Sequence, residues 1–87
     1  MALRALSIHW SDITFHGDGT WTQGFDFVTT GPGLKATFRD VSITLSDNDS
    51  AAQIKSKVAQ SCRDRVAVEW NETIEQNQVI FPDGTRG

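Results

Sequence analysis

Val41-Ser42-Ile43-Thr44-Leu45-Ser46-Asp47-Asn48-Asp49-Ser50-Ala51-Ala52-Gln53-Ile54-Lys55-Ser56-Lys57-Val58 is the stretch that decides the fold. Its first five residues alternate apolar and polar, the period of a strand with one buried face. From Ile54 the apolar residues recur at four-residue steps, through Val58, Cys62 and Val66, which is the period of one helix side. Between the two patterns lie Ser46-Asp47-Asn48-Asp49 and Ser50-Ala51-Ala52-Gln53, two alternative registers for a capping box. Either register brings carboxylates near the positive end of the helix dipole. One switch from strand to helix predicts an α+β chain: a small antiparallel β-sheet of three to five strands with one α-helix packed on one face, in a single domain spanning 1–87.

Toward the N-terminus, Leu6, Ile8 and Trp10 share one parity and predict a first strand. After Ser11-Asp12 the parity flips to Ile13 and Phe15. A one-residue slip exchanges sheet faces, so the flip predicts a bulge or bend at Ser11-Asp12. Gly17-Asp18-Gly19 suits a tight turn, and Trp21, Phe25 and Phe27 return on one side, which makes 13–28 a hairpin with Gly24 as a second bulge position. Thr29-Thr30-Gly31-Pro32-Gly33 is a loop. Leu34, Ala36 and Phe38, then Val41, Ile43 and Leu45 after a second flip at Arg39-Asp40, read as one long bulged strand or as two strands with a kink.

Toward the C-terminus, Ala51, Ile54, Val58, Ala59, Cys62 and Val66 fall within an arc of roughly 140° on a helical projection. Lys55 projects into the same arc, with its stem along the core edge and its amine in water. A longer helix would carry Glu69 into the stripe, so the helix is expected to end near Arg65. The rival reading runs it through Trp70. Val66, Val68 and Trp70, and later Val79-Ile80-Phe81 before Pro82-Asp83-Gly84, are candidate closing strands joined by polar 71–78. Thr85-Arg86-Gly87 is expected to fray.

Composition narrows the classes. A chain of 87 residues buries only about 60–65% of its unfolded surface. Three Trp and five Phe supply dense packing, while the single Cys62 allows no internal disulfide. Such a chain compensates by aromatic packing or by sharing a core with a partner. Met1-Ala2-Leu3-Arg4-Ala5-Leu6 is too short and too soon polar for a signal peptide, and no apolar run approaches a membrane span. A net charge of −3 argues against a dedicated nucleic-acid binder.

No residue set carries catalytic or metal chemistry. His9 and His16, with Asp12 and Asp18, form the one metal-like cluster, and they fall short of three or four converging ligands. Cys62 sits in the apolar helical stripe, as a small core hydrophobe does. Gly31-Pro32-Gly33 precedes a strand and lacks a following Lys-Ser/Thr, so it is not a phosphate loop. Asp47-Asn48-Asp49 opens like a calcium loop without its glycine or closing glutamate. Lys55, Lys57, Arg63 and Arg65 scatter around the helix instead of forming a basic stripe. Trp10, Trp21 and Trp70 remain as candidate protein-interface residues, Trp21 foremost because Thr20 and Thr22 flank it beside the hairpin turn.

Two stretches bring a family to mind: Thr44-Leu45-Ser46-Asp47-Asn48-Asp49-Ser50-Ala51-Ala52-Gln53-Ile54 resembles the strand-to-helix junction of small tailed-bacteriophage virion proteins, and Phe81-Pro82-Asp83-Gly84-Thr85 resembles their tails. The resemblance implies a head decoration, head–tail connection or tail protein, located in the virion or host cytoplasm. Such a protein is non-enzymatic, needs no cofactor, and binds protein as a homo-oligomer or in a larger assembly, without nucleic acid or membrane. No functional residue transfers with it. The alternative is a small phage-encoded inhibitor or regulator, whose acidic surface occludes an enzyme or nuclease.

Overall fold

The chain runs β1 (Leu3–Phe15), β2 (Thr20–Gly31), β3 (Leu34–Ser46), α1 (Ala51–Trp70) and β4 (Ile74–Val79) in the computed structural model, which describes residues 3–87. Met1 and Ala2, the start of the stretch read as too short for a signal peptide, lie outside the described residues. The strands form one sheet in the order β3-β2-β1-β4. The α+β class and the single helix on one face are as the sequence predicts. The sheet is mixed, however: β1, β2 and β3 are an antiparallel meander, and β4 returns beyond the helix to lie parallel to β1.

Strand β2 is the axis of the fold. Its odd residues Gln23, Phe25, Phe27 and Thr29 are buried on the face that carries α1, its even residues face the other way, and Thr29-Thr30-Gly31, expected as loop, belong to the strand. Phe27 stacks on Phe38 of β3 at 5.1 Å, and Phe25 lies 6.2 Å from Phe27. From α1, Val58, Ala59, Cys62 and Val66 close over them.

Three bulges let β1 and β3, the strands on either side, follow β2. Ser11-Asp12 makes the bulge that the parity flip predicts: Trp10 pairs with Phe25 but Ile13 with Gln23. Gly24 is not bulged itself. It lies against that bulge, where a Cβ would fall 2.8 Å from Ser11 Oγ and 3.3 Å from the Asp12 carbonyl oxygen. Arg39-Asp40 makes the second, so β3 is one long bulged strand; Asp40 takes φ 57° and donates its N–H to Asp26 Oδ1 at 3.2 Å. The third corrects the expected parity of β1. Ser7 has φ 53°, so Leu6 pairs with Val28 on the outer face while Leu3, Ala5, Ile8 and Trp10 face the helix. A serine carries no glycine-like signal, and this bulge was invisible in the alternation.

The helix takes the second capping register. Ser50 Oγ accepts from the Gln53 N–H at 3.2 Å, and Gln53 Oε1 accepts from the Ser50 N–H at 2.7 Å. Its end near Arg65 is corrected to Trp70, and Val66, Val68 and Trp70 are helical, not a strand. The buried row continues its four-residue step from Val66 to Trp70, whose ring packs 4.9 Å from Phe38. Glu69 stays outside and meets Arg65 at 3.4 Å. The stop is Asn71, in the left-handed region (φ 53°), with its N–H on the Ala67 carbonyl.

The C-terminal expectations also need correction. The polar segment 71–78 contains β4, an edge strand buried only at its ends, Ile74 and Val79. Its four polar middle residues hid it. Thr85-Arg86-Gly87 does not fray: Ile80 bridges Arg86, and Val79 and Gly87 exchange backbone hydrogen bonds at 3.1 and 2.9 Å. Arg63 of α1 donates to the carbonyls of Ile74, Glu75 and Gly87, tying helix, strand and tail together.

The left-handed backbone at Ser7 generates a prediction. An L-residue pays about 1 kcal/mol or more to sit there, most for a β-branched side chain, and glycine does not. Ser7→Gly should hold or raise the urea midpoint, and Ser7→Val should lower stability by about 1–2 kcal/mol. Ser7→Val as stable as the parent would mean that β1 runs straight.

Candidate interaction surface

At the far end of the sheet the β1 side is left uncovered, while Leu45 on the β3 side of the same row is buried. Past Trp10 the β1–β2 hairpin and the end of β3 continue as an arm, closed at its tip by Gly17-Asp18-Gly19. There Asp18 Oδ1 accepts from both the N–H and the hydroxyl of Thr20. The loop into the helix is fastened to this tip, since the Asp47 N–H donates to the Gly19 carbonyl at 2.8 Å.

The arm is apolar on the face that α1 would have covered. Trp10 is 42% exposed, Ile13 50% and Phe15 76%, all on the same side of β1. Trp10 sits edge-on against the buried Phe25 at 5.9 Å, and Phe15 leans on Trp21 at 6.4 Å. Trp10, Ser11, Ile13, Trp21, Gln23, Leu45 and Ile54 line a cleft of about 390 Å³ between the arm and the first turns of α1. A second hollow of about 280 Å³ shares Trp10 and Ile54 and extends to Phe81, Pro82 and Asp83. The two are neighbouring apolar hollows that share Trp10 and Ile54 as walls. One wall is held by Lys55, whose amine lies 5.7 Å over the Phe81 ring and reaches Asp83 at 2.6 Å and Thr85 at 2.7 Å. The Lys55 amine, then the Thr85 hydroxyl and N–H, hold the Asp83 carboxyl well below the usual carboxylate range. Its contribution to stability is full above about pH 4 and declines as pH falls below that, although the pair itself persists into stronger acid.

Of the three tryptophans singled out in the sequence, the fold brings Trp10 and Trp21 into the cleft. Trp70 is at the other end of α1, half-buried on Phe38. Ile13 and Phe15 were not among those candidates. Their signal was the parity flip at Ser11-Asp12, which returns them to the face of Trp10; their exposure follows from where the helix begins.

The remaining polar candidates are occupied by structure. His9 lies on the outer face of β1, and His16 follows seven positions later just past the strand's end, where its Nε2 meets Thr22 Oγ1 at 2.8 Å. Among the described residues no three His, Cys, Asp or Glu converge on a metal position. Asp49 of the calcium-like loop accepts from the Ser46 N–H and pairs with Lys57 at 2.6 Å. These pairs lower its carboxyl, the Lys57 hydrogen bond most. Every cation of the helix has an internal partner: Lys55 with Asp83, Lys57 with Asp49, Arg65 with Glu69, and Arg63 with three carbonyls. Cys62 is buried, and burial pushes its thiol up to about 12, with Arg63 opposing. No described helix is long and apolar enough to cross a membrane.

Compared with known protein families, curated proteins and solved structures, the chain matches none.

The raised thiol gives a pH prediction. A folded pKa above the unfolded value near 9 adds stability below that value, and this stability is lost as pH climbs toward 12. Urea stability should fall above about pH 9, and Cys62→Ala should flatten part of that fall. Native Cys62 should resist a thiol reagent at pH 8 and react at once in denaturant. Rapid native labelling would place the thiol outside the core.

Proposed function

We propose that this chain is a non-catalytic protein-contact module whose aromatic arm is the contact surface. The observation that carries this reading is the row Trp10, Ile13 and Phe15, three large apolar side chains left open on one strand face beside a cleft. The outermost apolar patch of a free-standing domain is commonly functional, and aromatic side chains concentrate binding energy. The core supports it too: Phe25, Phe27 and Phe38 are packed without the arm, so folding does not require those rings to be covered. Read with the resemblance of Thr44–Ile54 and Phe81–Thr85 to small tailed-phage proteins, the module serves as a structural component of a phage particle, in the head, at the head–tail connection or in the tail. The inhibitor reading draws on one further observation: Asp12, Asp18 and Asp47 stand on the arm without a cationic partner among the described residues. Those carboxylates would suit a basic groove.

The contact reading separates arm from core. Ile13→Ser and Phe15→Ser should melt within about 4 °C of the parent, as surface substitutions do, while abolishing binding of an apolar-surface dye to the folded protein. Phe27→Ala, in contrast, should cost about 3–5 kcal/mol. If the arm variants lose stability on the scale of Phe27→Ala, the arm is core and no contact surface exists there.

A further inference from the structure

We infer that the arm pairs with the arm of a second copy of this chain about a two-fold axis, each Phe15 ring seated in the other copy's cleft. This rests on the arm being the contact surface and names its partner. Knob and hollow lie side by side on one strand face. Phe15 is 76% exposed and leans on Trp21, and two residues back along β1 Ile13 lines the cleft of about 390 Å³. A surface with a projecting ring next to a hollow that can take one is complementary to itself. A half-turn makes both insertions reciprocal, which is the isologous contact of a two-fold dimer.

The area is that of a weak dimer. At the exposures above, Trp10, Ile13 and Phe15 together offer about 350 Å² of apolar side chain. Two arms therefore remove about 700 Å², less than the roughly 1,000 Å² of a stable interface, which makes this a weak, reversible pairing that fills at high protein concentration. Access is open, because the arm projects past the first helical turn and the described tail folds back on β4.

Charge gives the pairing a signature. Asp12, Asp18 and Asp47 lie on each arm, so a two-fold contact gathers six carboxylates around an apolar centre. Like charges at a surface repel across about a Debye length, near 10 Å at 0.1 M salt and less above it. Salt should tighten this dimer, whereas it would loosen a complex with a basic partner.

The test is sedimentation equilibrium of the full chain from about 10 µM to about 1 mM, at about 50 mM and 500 mM sodium chloride. The expected mass approaches twice the 9.6 kDa chain as concentration rises, with the dissociation constant falling at least about threefold at the higher salt. Phe15→Ser should weaken pairing at least about tenfold with its melt preserved, and Ile13→Ser supplies the same reading if Phe15→Ser melts early. Val68→Ser, removing an 84% exposed apolar side chain on the helix, should leave the dimer unchanged. Asp47→Asn should tighten pairing at low salt and reduce the salt effect. Single-chain mass at both salts overturns the pairing; if the dye still reports the arm, the arm then serves a different protein. A dimer indifferent to Phe15→Ser and Ile13→Ser, a dimer loosened by salt, or species growing beyond two chains with concentration would each overturn it as well.

Discussion

A twenty-residue helix is too short for thirteen-residue strands. At 1.5 Å per residue α1 covers about 30 Å, while β1 and β3 at about 3.3 Å per residue run to about 43 Å. The molecule's longest extent, 44 Å, is the length of the strands. Everything distinctive follows from the difference. Where the helix lies, Phe25, Phe27, Phe38 and Val41 are sealed against Val58, Cys62 and Val66. Where it does not, the same sheet face carries Trp10, Ile13 and Phe15 into the open, with Trp21 half-buried beside them. The alternation of β2 persists to the tip, so the arm keeps the chemistry of a core, covered over Gln23 and Leu45 and open over Ile13 and Phe15.

The two ends of the helix are fixed by different means. At the start, the reciprocal Ser50–Gln53 capping and the Asp47–Gly19 bond set its first turn beside Trp10. At the finish, Trp70 on Phe38 and the left-handed Asn71 stop it over the sheet's opposite end. Arg63, midway, clamps β4 and the tail to the helix through three carbonyls, and Lys55 does the same for Phe81 and Asp83. A small domain without disulfides has in these clamps a substitute for a covalent staple. Their exposed ion pairs contribute little each, and the carbonyl contacts of Arg63 add more because Ile74 is buried.

The α+β class was legible because periods two and four are separated at Ser46–Ser50. Two of three bulges were legible because Ile13 after Trp10, and Val41 after Phe38, visibly break parity. The Ser7 bulge was not, since Leu6 and Ile8 preserve an alternation that the backbone does not. Strand β4 escaped because an edge strand needs to bury only Ile74 and Val79, and Glu75-Gln76-Asn77-Gln78 between them read as loop. The helix end escaped because Glu69 was weighed against the apolar stripe, although Asn71, a side chain that tolerates the left-handed region, stands directly after Trp70. At the surface, Trp10 and Trp21 could be picked by residue type alone. Ile13 and Phe15 could not: their exposure is set by the extent of α1, a tertiary quantity that no local pattern carries.

Amide hydrogen exchange in the dilute chain tests the uncovered arm most directly. Slow exchange is expected for Phe25–Thr29 of β2 and Val58–Val66 of α1, with exchange along Ile13–Phe15 faster by orders of magnitude. Equal protection from Leu3 to Phe15 in a demonstrably monomeric sample would contradict the account, because the far end of the sheet would then have a cover of its own.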